Sequence, residues 1–281
     1  MSRLPWSETR LMSTPPLTCR VLPFTTADGP RNMATDAALL DALVEKSRGD
    51  VATAVMRVYE WSAATLSLGY FQRAADATCD PRLSGLPLVR RPSGGGAIVH
   101  DQELTYAIVL PPAHPLARGA RPLYHAAHAA VATVLADLGL PAARHGDLAR
   151  DRTYLTHNHS DHVSNGPRTF LCFQDRDDED LVATDLGHKI VGGAQRRRAG
   201  VVLMHGSILL ARSTHAPALP GATDLGAANE PRARTAERLV EALSDRLGFV
   251  PRRDDLDEHE SALARDLEVS VYRDPAWTFR R

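Results

Sequence analysis

Three stretches of the chain combine residue types that can handle a carbonyl or a phosphate group. The first is Arg90-Arg91-Pro92-Ser93-Gly94-Gly95-Gly96, which runs on through Ala97 to His100 and Asp101. Three consecutive glycines remove every Cβ from a short piece of backbone, so a substrate chain or a phosphate can lie directly against peptide N–H groups. Arg90 and Arg91 add positive charge beside it. No Gly-Lys-Ser/Thr follows, so this is not a Walker loop. The same glycines also suit a β-turn in which they serve geometry alone.

The second stretch is Gly187-His188-Lys189-Ile190-Val191-Gly192-Gly193-Ala194-Gln195, continued at His205-Gly206-Ser207. Lys189 opens an apolar run, where a partly desolvated ammonium can donate to a carbonyl or phosphate oxygen. An isolated lysine at a strand edge more often extends to water, and spacing does not separate the two. The third stretch is Phe170-Leu171-Cys172-Phe173. A cysteine between large apolar residues is usually an inert core side chain, and Cys19 and Cys79 are read that way.

Composition narrows what such groups can serve. With 281 residues and 43% hydrophobic content, the chain has ample material for a core. The formal net charge of -1 gives no support to binding nucleic acid through a general basic surface, so charge-driven recognition has to be local. The run Arg196-Arg197-Arg198 is one such local feature, a candidate contact for an acidic partner. Three widely spaced cysteines without C-x-x-C spacing fit a reducing compartment, and no apolar stretch reaches the length of a membrane span. The expectation is a soluble, cytoplasmic protein with no nucleic-acid or membrane partner.

The elements that must position these residues follow from periodicity. A short strand is expected near Cys19 to Phe24. Met33, Ala37, Leu40 and Val44 recur at helical spacing, with Gly49 as the stop. Strands are expected over 54–61, 65–68, 88–91, 97–100 and 104–110, and a packing helix over 124–138. Further strands are expected over 169–173, 181–184, 189–195 and 201–210, then a helix over 234–247 and a charged, irregular end. Without a regular βαβ alternation, the expected class is α+β, a mixed and largely antiparallel sheet flanked by helices. The expected division is a catalytic domain over 1–250 and an extension over 251–281. The polar segment containing His157, His159, Asp161 and His162 reads as a solvated loop, and no metal site is assigned.

Taken in order, these stretches resemble the biotin/lipoate protein-ligase family, and most closely its octanoyltransferase and lipoate-protein ligase A group. The resemblance begins at Val58-Tyr59-Glu60-Trp61 and Thr65-Leu66-Ser67-Leu68-Gly69-Tyr70-Phe71-Gln72. It continues through Arg91-x-Ser93-Gly94-Gly95-Gly96-Ala97-x-x-His100-Asp101, Lys189-Ile190-Val191-Gly192-x-Ala194-Gln195 and His205-Gly206-Ser207. Two departures stand out: Gly193 occupies a place where the family often has serine, and the acidic run 175–180 replaces a Pro-Ser-aromatic stretch.

What the resemblance implies is an acyltransferase of protein lipoylation. Cys172 before the Lys189 motif is similar to the transferases that carry octanoate as a cysteine thioester, moving it from acyl carrier protein to a lysine of a lipoyl domain. The acceptor would be a glycine-cleavage H protein or a 2-oxoacid dehydrogenase subunit. Cys172 and Lys189 would be catalytic, the ammonium favouring the thiolate and stabilising oxyanions. Gln72, Arg91, Ser93, Gly94, Gly95, Gly96, His100, Gly192, Ala194, His205 and Gly206 would bind substrate. That reading needs no cofactor. The alternatives are a lipoate-protein ligase using ATP and Mg, with Cys172 as packing, and a non-catalytic acyl- or carrier-binding homologue.

Overall fold

A computed structural model describes residues 17–47, 53–148 and 169–281. The histidine-containing segment 157–162 lies outside the described residues, as do Gly49 and the side chain of Cys79. The strands are β1 Leu17–Val21, β2 Thr25–Ala27, β3 Ala54–Trp61, β4 Thr65–Leu68, β5 Leu88–Arg90, β6 Ile98–His100, β7 Glu103–Leu110, β8 Ala142–Arg144, β9 Leu181–Ala183, β10 Lys189–Arg198, β11 Val201–Leu209 and β12 Phe249–Arg253. The helices are α1 Gly29–Lys46, α2 Ala120–Asp137, α3 His145–Leu148, α4 Arg232–Leu247, α5 Glu258–Leu267 and α6 Pro275–Thr278.

Strand β3 shows why the main sheet forms. Its alternate residues Met56 and Val58 point to a core shared with Leu123 and Val131 of α2 and Leu239 and Leu243 of α4. Val55, Tyr59 and Trp61 point the other way, to Met33, Leu40 and Val44 of α1. A strand covered on both faces carries apolar residues at nearly every position, as AVMRVYEW does. The sheet runs β12-β1-β3-β7-β11-β10-β9-β8, with β2 also paired to β3. Pairing is parallel at β12-β1, β1-β3 and β2-β3 and antiparallel from β3 through β8, so the sheet is mixed and largely antiparallel, as expected. A separate three-stranded sheet, β5-β4-β6, carries the glycine loop between β5 and β6.

Two expectations need correcting. Residues 169–173 form no strand. A single bridge joins Leu171 to Ala97, and one 3-10 turn follows over Cys172–Gln174. The Ala97 N–H and C=O are both taken, by Phe170 O and Cys172 N at 2.8 Å each, and the pairing stops there. The end of the chain is not irregular either. Its charges pair internally: Arg20 holds Glu260 at 2.6 Å and Asp254 at 2.9 Å, while Lys46 holds Asp257 and Glu260. Asp257 and Glu260 form a capping box that starts α5 on the outside of α1.

Arg90 ties this last segment to the glycine sheet. Fully buried, it donates to the carbonyls of Gly69 and Gln72 at 2.9 and 2.7 Å and to that of Thr278 at 2.7 Å. Trp277 Nε1 returns a bond to the Arg90 carbonyl at 3.0 Å. Arg90→Ala should therefore cost about 3 kcal/mol or more, because several buried carbonyls lose a charged donor at once. Arg90→Lys should recover little, since one ammonium cannot span both sets of carbonyls. Urea unfolding measures this, and a loss under about 1 kcal/mol for the alanine variant would contradict it.

Candidate active site

Lys189 begins β10 and is 6% exposed, so its ammonium is not a solvated strand edge. Its three N–H groups have three acceptors: Asp180 Oδ2 at 2.7 Å, the Cys172 carbonyl at 2.9 Å and Cys172 Sγ at 3.4 Å. Burial alone would lower its pKa, but the Cys172 and Asp180 charges outweigh that and hold it above the ordinary lysine value. The ammonium thus persists inside the protein beside the sulfur. Cys19, by contrast, is fully buried with its thiol pushed up to about 12 by desolvation, as an inert core cysteine would be.

Nothing in the sequence singles out Asp180 from the acidic run 175–180 that it ends. The run is folded around it. Asp180 accepts from the Asp177 N–H at 2.7 Å, and its carbonyl accepts from His145 N at 2.8 Å. His128, buried on α2, donates from Nδ1 to the neighbouring Glu179 carbonyl at 2.5 Å. Burial lowers the His128 pKa to about 4, so the ring is neutral, and donation from Nδ1 leaves Nε2 as a bare acceptor.

The cysteine is placed by the glycine loop. A Cβ on Gly96 would lie 2.9 Å from both Cα and N of Cys172, a separation only the absence of a side chain permits. Arg91, 3% exposed, clamps the loop by donating to the carbonyls of Gly94 and Gly96 at 2.9 and 2.8 Å. Gln72 secures the other side: it accepts from the Gly69 N–H at 2.9 Å and donates to the Phe170 carbonyl at 3.0 Å. It acts on the backbone just before Cys172.

Beneath the loop lie two chains of buried polar groups. In the first, Arg91 donates to Ser67 Oγ at 2.8 Å, and Ser67 bonds His100 Nε2 at 2.7 Å. His100 Nδ1 lies 3.1 Å from Glu103, which also accepts from Thr105 and Ser207. A carboxylate only accepts, so His100 donates from Nδ1 and takes the Ser67 proton at Nε2; burial keeps its pKa low and the ring neutral. Trp61 stacks on that ring at 3.8 Å. In the second chain Ser93 bonds His205 Nε2, whose Nδ1 lies 3.5 Å from Asp36, and Asp36 also receives Tyr59 and Arg57.

These groups border an open cleft of about 410 Å³ when the solvent-continuous space at its mouth is included, lined by Arg91, Gly94, Gly95, His100, Cys172, Gly192, Gly193, Ala194, His205 and Gly206 together with Met33, Trp61 and Ile98. The polar atoms largely satisfy one another, which leaves a mostly hydrocarbon wall between the sulfur and the glycines. Ser93 and Gly96 sit immediately behind it, and Gln72 acts through the Phe170 carbonyl. Gly193 has a local reason: a Cβ there would be 3.2 Å from His128 Nε2, Tyr124 and Met204, so a serine would crowd all three. The site can therefore hold an apolar chain end-on to a thiol whose nearest cation is an ammonium 3.4 Å away.

Residues 28–257 match the family of the lipoyl protein ligase A/B catalytic domain. The octanoyltransferase LipM of Kyrpidia tusciae is 31% identical over 276 residues, covering 89% of this chain and 94% of that relative. The octanoyltransferase LipM of Lysinibacillus sphaericus is 37% identical over 183 residues, 64% of this chain and 61% of that relative. Among solved structures, the bi-partite lipoate protein ligase from Thermoplasma acidophilum, described with its E2 lipoyl domain, superposes with a TM-score of 0.67 at 20% identity, covering 94% of this chain and 96% of that one. That last likeness concerns the fold.

The Gly96 contact is testable without any substrate. In Gly96→Ala the added methyl should push the Cys172 backbone off Ala97, so hydrogen exchange at the Cys172 amide should accelerate by about tenfold or more. The amides of β10 and β11 should stay protected. Unchanged exchange at Cys172 would show that the loop absorbs a side chain.

Proposed function

The chain belongs to the lipoyl protein ligase A/B catalytic domain family, and within it we propose that the protein is an octanoyltransferase of protein lipoylation that works through a thioester on Cys172. The observation that carries this reading is the buried Lys189 ammonium, 3.4 Å from Cys172 Sγ at the wall of the cleft. The names of the curated relatives agree with it.

In the first half-reaction the Cys172 thiolate attacks the thioester carbonyl of octanoyl-acyl carrier protein. The C–S bond to the pantetheine sulfur breaks, and that sulfur leaves as a thiol after taking a proton. In the second, the amine of an acceptor lysine attacks the Cys172 thioester, loses a proton and forms the amide, returning Cys172 as a thiolate. Lys189 donates toward the oxyanion of each tetrahedral stage, and Asp180 keeps it charged and aimed. Gly94–Gly96, Arg91 and Ala194 form walls for the octanoyl chain, where each methylene taken from water is worth about 0.8 kcal/mol. His100 and His205 hold the surrounding loops through their buried partners. The acceptor is a lipoyl domain, of an H protein or a 2-oxoacid dehydrogenase subunit; the archaeal structure with an E2 lipoyl domain supports that class. The setting we assign is the reducing cytoplasm, which keeps Cys172 a free thiol. No helix among the described residues is long and apolar enough to cross a membrane.

Intact-mass analysis tests this. Mixed with octanoyl-carrier protein and no nucleotide, the protein should gain one octanoyl group in a bond cleaved by neutral hydroxylamine, and Cys172→Ala should not. Full activity of Cys172→Ala together with a requirement for ATP and free acid would establish a ligase instead. Lys189→Ala strands the buried Asp180 carboxylate and should lose about 3 kcal/mol of stability, and in the fraction that circular dichroism shows folded, transfer should be about a hundredfold to a thousandfold slower. A rate near wild type would remove the lysine from the mechanism.

A further inference from the structure

Of the three consecutive arginines that end β10, two are used internally. Arg197 donates to the carbonyls of Ala117 and Gly119, and Arg198 pairs with Asp41. Arg196 is different. Strand alternation places it on the same face as Gly192 and Ala194, toward the cleft, and its guanidinium lies 5.5 Å from the Tyr70 ring. From the far end of the chain, Arg280 reaches the same ring at 4.0 Å, and Arg281 lies 5.6 Å from Phe71. Among the described residues none of these three arginines has a carboxylate partner. Phe71 is 67% exposed and Phe279, in the same segment as the two later arginines, 58%. A chain of net charge -1 thus gathers three unpaired cations and exposed aromatic area at one place.

That place adjoins the catalytic loop. The Tyr70 N–H bonds the Ser93 carbonyl at 2.8 Å, and Gln72, two residues on, holds the backbone of Phe170. Arg90 anchors both the 69–72 turn and the 277–278 carbonyls, so the aromatic turn and the arginine segment are set against each other.

We propose that Arg196, Arg280 and Arg281, around Tyr70 and Phe71, form the docking rim for an acidic acyl carrier protein, from which the phosphopantetheine arm passes over the Gly94–Gly96 loop to Cys172. The proposal rests on the acyl-transfer reading above and adds where the donor sits. Exposed guanidiniums that rest on aromatic rings and have no carboxylate partner among the described residues steer an anionic partner over long range and fix its register, while Phe71 supplies apolar contact at the centre. The arginines spread over two chain segments on an exposed rim, a shape that suits the surface of a protein donor more than an enclosed nucleotide.

The test compares three octanoyl donors, carrier protein, coenzyme A and phosphate-free pantetheine, on wild type and on Arg196→Ala/Arg280→Ala/Arg281→Ala. With the carrier protein at low salt, kcat/KM for Cys172 acylation should fall by about tenfold or more, chiefly through KM, and the difference should shrink in high salt. With octanoyl-pantetheine the two proteins should agree within about twofold. Arg196→Glu alone, which leaves the segment around Trp277 untouched, should give a smaller loss of the same donor pattern. Equal losses with all three donors would place the arginines in the fold or the chemistry, and equal losses with carrier protein and coenzyme A would make them a phosphate site; either overturns the docking rim, as does no loss with the carrier protein. Wild type that is acylated by no donor would refute the transfer reading itself.

Discussion

The site depends on one close approach of two backbones. Cys172 lies in no strand of its own. It is held by the Cys172 N–H on the Ala97 carbonyl and the Ala97 N–H on the Phe170 carbonyl, over a glycine whose missing Cβ would otherwise occupy the same space. From that contact the remaining geometry follows: the sulfur is delivered to the mouth of the cleft, within reach of an ammonium that comes from the other sheet. The nucleophile and the cation belong to different layers, and the Gly96 contact brings them together.

A buried ammonium and a buried guanidinium each carry a desolvation penalty of several kcal/mol, which dense hydrogen bonding must offset; of the Arg91 donors only Nε is left without a partner among the described residues. Lys189 meets this with Asp180 and Cys172, and Arg91 with Ser67 and the carbonyls of Gly94 and Gly96. Those arrangements leave little freedom for the groups nearest the sulfur. Of the three Lys189 donors, the N–H on Sγ is the one that can turn to the oxyanion once the sulfur is acylated, while Asp180 and the Cys172 carbonyl hold the ammonium in place. The Ser67–His100–Glu103 and Ser93–His205–Asp36 chains extend the same logic under the loop, holding its two ends to β4, β7 and α1.

Much of this could be read from the sequence because it rests on local pattern. Strands β3 and β4 and the helix that became α2 announce themselves by composition and period, and the glycine run marks a place where backbone comes close to something else. The stretch 169–173 has the composition of a strand because Phe170, Leu171 and Phe173 are apolar, yet among the described residues its one ladder partner is Ala97, a contact that depends on tertiary approach. Asp180 was illegible for a related reason: in a run of five acidic residues nothing local distinguishes the one that turns inward from those that remain in water. The pairing of Arg20 with Glu260, 240 positions apart, likewise cannot be read from charge alone, so a structured end looked irregular. The Arg196–Arg198 run shows the converse, since three like residues in sequence have three different environments.

The central claim is that Cys172 carries the acyl group on the path from donor to acceptor, and a chase measures that most directly. Protein loaded with octanoate at Cys172 and separated from donor would be mixed rapidly with an acceptor lipoyl domain, then quenched for intact-mass analysis of both proteins. The octanoyl mass should leave Cys172 and appear on the acceptor lysine at a rate no slower than steady-state turnover. A thioester that persists, or discharges more slowly than turnover, would contradict the claim and make the acylated cysteine a side product.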